Sequence, residues 1–413
     1  MVSLQYKGRI HKSKFTMRSL RYILSDQAAR LFPALQRRWL LPVESRPIAE
    51  AACGDCPLPS ARVHAALPEL YATLDISAPE PLQLTDHVYS LEDVLVTGWA
   101  GAMIKDGLLL TVRPQHNWVA ALRAHPHQIR TLPDDRPYFN LMAATPAKGH
   151  IFHWQFNAMV PLLAYLESGQ CDTGLGLIVN AAESEIQRRS IDYLKERYGI
   201  SAIVPVAQNE AVRVPHLKAV IPVPHIPRAL QSPLGLGRLG DLGGFMAQDV
   251  SEDGAKRIYV SRHDARLRRV LNEKSFMPRL ESLGFQRAIL AELPIARQIA
   301  LFRQAEIVVA PHGAGLAHIA WCKPGTKIIE FFPSPDGPRG RVRNATYDYW
   351  LLSQLLGLDY DCALAGPIET RNDGFSVDEA LLTSTIQKAI SGPKMTAALS
   401  QLQKETAKDR PRI

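Results

Sequence analysis

The sequence predicts an α/β fold in which parallel sheets are covered by helices. The prediction depends on an alternation of strand-length apolar runs with helical patterns, once between residues 175 and 223 and again between residues 257 and 360. Such alternation is typical of βαβ units, because a parallel strand is reached through a crossover connection. A chain of 413 residues is long for one domain and comfortable for two. We therefore expect two α/β domains.

The chain divides into four segments on this pattern. Residues 1–82 form a basic and proline-rich lead-in, residues 83–245 an N-terminal domain, residues 246–390 a C-terminal domain and residues 391–413 a polar tail. The glycine-rich run at residues 235–244 is predicted to be the interdomain linker. It contains the glycine spacing of a dinucleotide site, but no strand precedes it, so we do not expect a nicotinamide enzyme.

The individual elements follow from periodicity and turn residues. In the N-terminal domain we predict a hairpin at 88–99 and 103–112, helices at 150–166 and 184–197, and strands at 175–179, 202–206 and 217–223. In the C-terminal domain we predict strands at 257–262, 305–309 and 327–332, helices beginning near 264–273 and 295, a short helix at 316–322 and a helical end.

The run Ala-Pro-His-Gly-Ala-Gly-Leu-Ala-His, from Ala310 to His318, is the most informative motif; we call it the glycine motif. It joins a predicted strand to a predicted helix start, where free amides and the positive end of the helix dipole face the same point. Its small residues let a phosphate approach the backbone closely. An ordinary tight turn in an α/β core would have the same spacing, so the motif alone leaves both interpretations open.

The residues around the motif are more specific. In chain order they are Arg262, Asp264, Arg269, Asn272-Glu273, Gly284-Phe285, the glycine motif, Pro324-Gly325-Thr326 and Ile329-Glu330. This ordered set resembles glycosyltransferase family 61, which includes capsular-polysaccharide and O-glycan transferases with xylosyl- and N-acetylglucosaminyl-transferring members. The resemblance covers roughly residues 85–365. It implies a GT-B fold, in which two Rossmann-like domains face each other across a cleft, and an inverting transfer of a hexosyl, pentosyl or N-acetylhexosaminyl group from a nucleotide sugar.

The chemistry of that transfer suggests roles for these residues. Negative charge develops on the leaving diphosphate and, without a metal, has to be met by arginines and backbone amides. Arg262, at the end of a predicted strand, is the first candidate, and Arg262 and His312 are the candidate catalytic residues on this side. The predicted donor-binding residues are Arg262, Arg269, Asn272, Glu273, His312, Gly313, Ala314, Gly315, Leu316 and Glu330. Asn272 and Glu273 could instead cap a helix, and Glu330 could be an ordinary acid at a strand end.

The acceptor-side motif of the family is only partly present in this chain. Members of the family often carry Asn-aromatic-aromatic-His-aromatic-x-x-Asp on a helix that lines this side. In this chain His150 stands in the place of that Asn and Asn157 in the place of the Asp, whereas His153 is retained. His318 likewise replaces an Asn that often follows the glycine motif. We predict His153 as the general base, since the ordinary pKa of histidine suits that role. One alternative is that a carboxylate elsewhere in the chain is the base. The other is a catalytically impaired homologue that binds a nucleotide sugar or glycan as a scaffold.

No cofactor or metal is expected. Asp359-Tyr360-Asp361 matches the Asp-x-Asp of metal-dependent GT-A enzymes, but no second Rossmann half follows it. Cys53-x-x-Cys56 is a single pair, whereas a zinc site requires two further ligands. The five cysteines are few and mostly scattered, so we expect a reducing compartment and no disulfide framework.

Positive charge is concentrated at the start of the chain. Residues 1–40 contain nine Lys or Arg and one acid, with apolar residues at helical spacing. This pattern suits an anionic membrane surface, although a solvated or partly disordered tail is equally compatible with it. Nucleic-acid binding is not expected, because aromatics are not interleaved with the basic residues.

The expected cellular location follows from two features that the sequence lacks. No apolar run approaches the length of a membrane span, and no signal-peptide pattern opens the chain. We therefore expect a cytoplasmic enzyme, with peripheral contact to the cytoplasmic face of the inner membrane through residues 1–40. Its acceptor would be a glycan or lipid-linked saccharide in surface or capsular polysaccharide assembly.

Overall fold

The computed structural model of the protein describes a large part of the 413-residue chain. The described residues are 45–47, 52–57, 61–63, 67–76, 82–84, 86–98, 101–106, 108–111, 128–132, 134–142, 151–181, 184–207, 209–222, 232–251, 254–337 and 346–391. The predicted membrane contact at residues 1–40, His150 and, except for its first residue, the predicted tail at 391–413 lie outside them. Within the described residues the α/β prediction is confirmed, since helices pack on a mixed sheet and on a parallel sheet.

Twelve described strands precede residue 223. In chain order they are β1 (Ser45–Pro47), β2 (Gly54–Pro57), β3 (Ala61–Val63), β4 (Leu82–Leu84), β5 (Asp86–Thr97), β6 (Met103–Lys105), β7 (Leu108–Thr111), β8 (Gln128–Thr131), β9 (Pro137–Asn140), β10 (Gly176–Asn180), β11 (Ile203–Val206) and β12 (Glu210–Pro222). β3 and β4 pair with each other. The other ten form one sheet in the order β1-β7-β6-β5-β12-β9-β10-β11, with β2 on β5 and β8 on β12.

This first sheet is mixed, whereas the resemblance implied a Rossmann-like parallel one. β9, β10 and β11 are parallel, but β5, β6 and β7 form an antiparallel meander and β5 pairs antiparallel with β12 along its length. The short connections between β5, β6 and β7 leave no room for a crossover helix and therefore require antiparallel pairing. The predicted hairpin region is thus confirmed, and it supplies three of the ten strands of the sheet. Strands β1 and β2 of the predicted lead-in also join this sheet.

The helices of the N-terminal half lie at α1 (Leu70–Thr73), α2, α3 (Glu185–Tyr198), α4 (Pro233–Gly237) and α5 (Leu239–Met246). α2 consists of an α-helical turn at Ile151–His153, a π-helical turn at Trp154–Met159 and an α-helix at Val160–Glu167. π-helical turns are rare and are found mostly at functional sites. None of the helices in the described part of the chain combines the length and apolar content that a membrane crossing requires.

The predicted linker at residues 235–244 is helical. Ser232 caps α4, with its Oγ accepting from the Gly235 amide at 3.4 Å, and Pro233 occupies the first turn. The backbone of Gly235 lies so close to the Val160 carbonyl of α2 that a Cβ would collide with it. At Gly243 a Cβ would lie 2.5 Å from the Trp321 ring. These glycines are therefore packing positions and not hinge positions.

The second sheet is entirely parallel. Its strands are β13 (Arg257–Val260), β14 (Phe285–Ala288), β15 (Ile307–Pro311), β16 (Lys327–Ser334) and β17 (Asp359–Pro367), in the order β14-β13-β15-β16-β17. Its helices are α6 (Glu273–Ser282), α7 (Ile295–Gln304), α8 (Asp348–Leu356) and α9 (Glu379–Ser391), with 3₁₀ turns at Leu290–Glu292 and Ala314–Trp321. The chain order 2-1-3-4-5 across the sheet is that of doubly wound nucleotide-binding folds, which bind ligands where the winding reverses.

The two halves share one apolar core. A single cluster of buried side chains includes Met159 of α2, Leu177 of β10, Val308 of β15 and Trp321 of the 3₁₀ turn. The α1 segment, from the predicted lead-in, is buried in the same cluster through Tyr71. The core thus places α2 and α1 against the edge of the parallel sheet where the glycine motif begins.

Candidate functional site

The reversal of winding lies between β13 and β15. Arg262 follows the carboxyl end of β13, and His312 follows the carboxyl end of β15, its direct neighbour in the sheet. The chain leaves these two strands toward opposite edges of the sheet, β14 and β16. Such a reversal opens a crevice at the strand ends, which is where α/β folds collect ligands. Two sequence-predicted residues are therefore brought to one crevice.

Arg262 is held in place by the loop that follows it. Its Nη2 donates to the Leu267 carbonyl at 2.9 Å and its Nε to the Arg268 carbonyl at 3.2 Å. Burial and then the charge of Arg268 lower the pKa of Arg262 to about 10. The guanidinium remains charged near neutral pH, and its fork is already oriented before any ligand arrives.

Gly313 is required beside that guanidinium. Its φ is +153° with ψ −178°, a conformation that essentially only glycine adopts. A Cβ at this position would collide with Nη1 of Arg262. The backbone of the glycine motif and the arginine thus touch, so one anion can contact both. The first amides of the 3₁₀ turn that begins at Ala314 have no intrahelical partner of their own and face the same region.

His312 belongs to a buried chain of hydrogen bonds. Its Nδ1 lies 2.5 Å from Oε1 of Glu330, which is fully buried in the middle of β16. Tyr360 of β17 donates to Oε2 of the same carboxylate at 2.6 Å. The hydroxyl of Tyr71 in α1 lies 2.6 Å from that of Tyr360. Because Tyr360 donates to Glu330, Tyr71 has to be the donor to Tyr360.

This chain sets the orientation of the His312 ring. Both carboxylate oxygens of Glu330 are occupied, so the acid holds the imidazole at Nδ1 in the way that an acid orients a catalytic histidine. The ring also stacks on Phe332 with centroids 4.8 Å apart. Burial first, and the charge of Glu330 second, raise the pKa of Tyr71 and of Tyr360 well above the ordinary value. The two phenols therefore remain protonated donors.

His153 lies at the start of α2, next to the same region. Its Nδ1 is 3.0 Å from Oδ1 of Asn157, one turn later, and the amide oxygen accepts from Nδ1–H. In a neutral ring this bond leaves the basic lone pair at Nε2. Asn157, which stands where the family often has a carboxylate, thus orients His153.

Two contacts join α2 to the glycine motif. Phe152 packs edge-on against Tyr349 of α8 at 6.1 Å, and Tyr349 packs against His312 at 5.9 Å. With its amide in the orientation that satisfies both partners, Gln155 donates to the Ala317 carbonyl at 3.1 Å and accepts from Trp321 Nε1 at 3.0 Å. The helix that carries His153 is therefore packed against the glycine motif through Phe152 and Gln155.

The remaining predicted residues have other immediate partners. Asn272 bonds both the amide and the carbonyl of Val377, at 2.9 and 2.8 Å. Glu273 is buried and accepts from Arg287 Nε at 2.6 Å and from Ser261 Oγ at 2.7 Å. Arg269 is exposed, with Nη2 3.4 Å from Nδ1 of His263. The structure thus brings Arg262, Glu330 and residues 312–316 together. Arg269, Asn272 and Glu273 lie in the loop and helix that follow β13.

His318, which replaces the Asn expected after the motif, anchors the 3₁₀ turn. Its Nδ1 lies 3.0 Å from the Gly315 carbonyl and its Nε2 2.6 Å from Oε1 of Gln298 in α7. Burial lowers the pKa of His318 to about 4. Both nitrogens face oxygens, but these oxygens are uncharged, so we expect the neutral ring, which donates to one of them.

Four residues of the site were not predicted from the sequence. They are Tyr71 in α1, Tyr360 of β17, which donates to Glu330, Arg268, whose charge acts on Arg262, and Tyr349, whose ring lies between His312 and Phe152. Arg268 adopts a φ of +58°, unusual for a residue that is not glycine. Tyr71 and Tyr349 stand in apolar patterns that indicate only core positions.

Among the described residues, no group of three or more His, Cys, Asp or Glu side chains is arranged to hold a metal ion. Asp359, at the start of β17, pairs with Lys327 at 3.0 Å.

Comparisons with known proteins match part of the chain. Residues 151–329 match the family model Glycosyltransferase 61. The chain is also 31% identical over 99 residues, 22% of its length, to the EGF domain-specific O-linked N-acetylglucosamine transferase of Drosophila melanogaster. The aligned part spans 19% of that relative. The family match begins with α2 and includes β13, β15 and the glycine motif, so the resemblance seen in the sequence is confirmed: this chain carries a glycosyltransferase family 61 region at residues 151–329.

Proposed function

We propose that the protein is an inverting glycosyltransferase that moves a sugar from a nucleotide-sugar donor to a glycan or lipid-linked saccharide. The observation that carries the proposal is the contact between Arg262 and the Gly313 backbone at the reversal of winding between β13 and β15. A fixed guanidinium beside helix-start amides suits the diphosphate of such a donor. The GT-B arrangement with an open cleft, implied by the resemblance, is part of the proposal.

On the donor side, charge develops on the leaving diphosphate as the bond to the anomeric carbon breaks. Arg262 and the first amides of the 3₁₀ turn would stabilise this charge, because they are oriented before the reaction. His312, held at Nδ1 by Glu330, would present the rest of its ring to a phosphate or a sugar hydroxyl. We propose that these groups perform the transfer without a divalent cation.

On the acceptor side, inversion requires attack from the face opposite the leaving group. His153 lies on α2, across the Phe152–Tyr349–His312 contact from the glycine motif. With Nδ1 bound to Asn157, its Nε2 would take the proton of the attacking hydroxyl. His153 is therefore the proposed base.

For the biological role we propose surface or capsular polysaccharide assembly on the cytoplasmic side of the membrane. The supporting feature is the basic, apolar-spaced sequence of residues 1–40, which suits the anionic inner-membrane surface where a lipid-linked acceptor would be presented. A scaffold that has lost catalysis is not favoured, since both matches are to transferases.

The first test is to find the donor and then remove Arg262. Thermal unfolding of the full chain with a panel of nucleotide sugars should identify a ligand, since a ligand at 100 times its Kd adds about 2.7 kcal/mol to the free energy of unfolding. Arg262→Ala should then weaken binding of the matching nucleoside diphosphate and lower turnover by about 10²–10³-fold, the scale for one preorganised donor. Arg279→Ala, at an exposed position of α6, is the matched control. Unchanged diphosphate affinity in folded Arg262→Ala would contradict the proposal.

The same assay tests metal independence. Turnover should be unchanged in excess EDTA, because the proposed charge stabilisation comes from Arg262 and backbone amides. A complete loss that Mn²⁺ or Mg²⁺ restores would refute both the metal-free mechanism and the role given to Arg262.

A further inference from the structure

Tyr349 is a buried residue whose hydroxyl takes no part in the hydrogen bonding of the described residues. It lies in the first turn of α8 and is 3% exposed. Among the described residues no group forms a hydrogen bond with its hydroxyl. The hydroxyl is not among the fully enclosed polar atoms that lack a partner in the described residues, so it retains an opening to solvent. A donor that is held in place and still open to solvent is available to a ligand from outside the chain.

The position of Tyr349 points to the substrate as that partner. Its ring contacts His312 of the glycine motif on one side, at 5.9 Å, and Phe152 of α2 on the other, at 6.1 Å. The ring of Tyr349 thus lies between the proposed donor side and the proposed acceptor side. A group bound between His312 and α2 would meet it.

The charges around the hydroxyl select the kind of group. Glu330 and Asp348 act on it electrostatically, and Arg268 and Arg262 oppose these two carboxylates. The two oxygens of Glu330, however, are already occupied by His312 and Tyr360. Burial, followed by the charge of Glu330, raises the pKa of Tyr349 well above its ordinary value, so the phenol stays protonated and acts as a donor. A neutral O–H donor grouped with two guanidinium groups suits an anionic oxygen.

We propose that the Tyr349 hydroxyl donates a hydrogen bond to the diphosphate of the donor and stabilises it as it leaves. The inference rests on the proposed function, and it adds a third donor to Arg262 and the backbone amides. Because the charge on the leaving oxygen grows during transfer, the bond strengthens toward the transition state, and its loss should affect kcat more than KM.

The test compares Tyr349→Phe with two other tyrosine variants of the full chain. Inorganic pyrophosphate, titrated by calorimetry, is the probe because it carries the diphosphate without base or sugar. Tyr349→Phe should bind it about tenfold more weakly, the range of one hydrogen bond to a charged group. Tyr198→Phe is the matched control, since its hydroxyl bonds Glu167 at 2.6 Å in a contact away from the glycine motif. It should bind pyrophosphate as the parent does.

Melting without ligand separates a ligand contact from a structural one. Tyr349→Phe should melt at the parental temperature or above, because it removes a hydroxyl that has no partner in the described protein. Tyr360→Phe should melt lower, because it breaks the bond to Glu330. With the donor identified, Tyr349→Phe should lower kcat by about 10²-fold with a smaller change in KM.

Each other result has a defined meaning. Parental pyrophosphate affinity and kcat in Tyr349→Phe would overturn the inference, as would a lower melting temperature. Weaker binding of the nucleotide sugar with unchanged pyrophosphate affinity would overturn it too, by assigning the hydroxyl to the sugar. If the parent binds neither pyrophosphate nor any nucleotide sugar, the proposed function itself fails.

Discussion

Glu330 shows how single residues define this site. The acid is fully buried, yet both its oxygens are bound by donors, His312 on one side and Tyr360 on the other. A buried carboxylate is tolerated only when it is paired and hydrogen-bonded in this way. Its position in the middle of β16, and not in a loop, restricts how far His312 can turn. We infer that the orientation of His312 is set by the sheet.

The prediction at the residue scale concerns His153 and Asn157. His153→Ala should lower kcat by about 10²–10⁴-fold and leave pyrophosphate affinity unchanged, because the loss of a general base affects only the chemical step. The parental pH–rate profile should rise through one pKa. In Asn157→Asp this pKa should move upward, since a carboxylate beside Nδ1 stabilises the charged ring. Steady-state rates between pH 5 and 9 would measure both.

His216, exposed on β12, provides the matched control, and His216→Ala should retain parental rates. Parental turnover in His153→Ala would show that another group is the base. A sharp gain in Asn157→Asp with a pKa in the carboxylate range would instead identify residue 157 as the missing base.

The sequence predicted those site residues whose position follows from strand ends. Arg262 and His312 come directly after apolar runs, and parallel strands bring such positions to one edge. Tyr349 was missed because an aromatic within an apolar helix pattern predicts only burial. Arg268 was missed because spacing gives no sign that a residue other than glycine takes a φ of +58° and turns the loop.

Packing at the element scale depends on glycines inside short helices. In α4 and α5 the missing side chains let α2 approach at Gly235 and Trp321 approach at Gly243. The same Trp321 donates to Gln155 of α2. These contacts tie α2, α5 and the 3₁₀ turn into one packed unit beside the site.

Two glycine substitutions test this unit. Gly235→Ala should lower the free energy of unfolding by about 1–3 kcal/mol, because its Cβ would collide with the Val160 carbonyl. Gly240→Ala, with no atom within 4 Å of its Cβ, should raise the free energy by up to about 1 kcal/mol through helix propensity. Urea unfolding at constant m measures both. Equal effects of the two substitutions would mean that the close approach at Gly235 is unimportant.

Element type was predictable where periodicity was strong. The C-terminal strands are almost continuously apolar, as parallel strands buried on both faces have to be. The helicity of the glycine-rich segment was not predictable, because glycine lowers helix propensity and only the tertiary contacts with Val160 and Trp321 offset that cost. The π-helical turn of α2 likewise leaves no mark that distinguishes it from an α-helix in the sequence.

At the scale of the whole molecule, His318 makes stability depend on pH. Its pKa is about 4 in the fold against about 6.5 in an unfolded chain. As the pH falls, His318 therefore binds its proton at a higher pH in the unfolded state than in the folded state. The stabilisation is fully present above pH 6.5 and is lost progressively down to pH 4, by about 3 kcal/mol in total.

Unfolding free energies measured at pH 7, 6, 5 and 4 should show this loss, and the loss should be smaller in His318→Asn, which cannot titrate. Identical pH slopes for parent and variant would contradict a neutral His318. They would indicate that the ring stays charged in the fold and donates to both Gly315 and Gln298.

The arrangement of the halves was predictable only in outline. Two α/β alternations predicted two sheets, but the shared core through Met159 and Trp321 depends on contacts between residues far apart in the chain. The docking of α1 was missed for the same reason, since a proline-rich lead-in gives no periodic signal.

The bond between Tyr71 and Tyr360 has a consequence for biosynthesis. The two residues are 289 positions apart, so Tyr71 leaves the ribosome long before its partner has been made. At typical rates of about 5–20 residues per second, α1 waits on the order of tens of seconds for β17. During that interval Tyr71 lacks its hydrogen-bond partner, and the hydrogen-bond chain that orients His312 is incomplete. The nascent protein thus acquires its oriented histidine only near the end of translation.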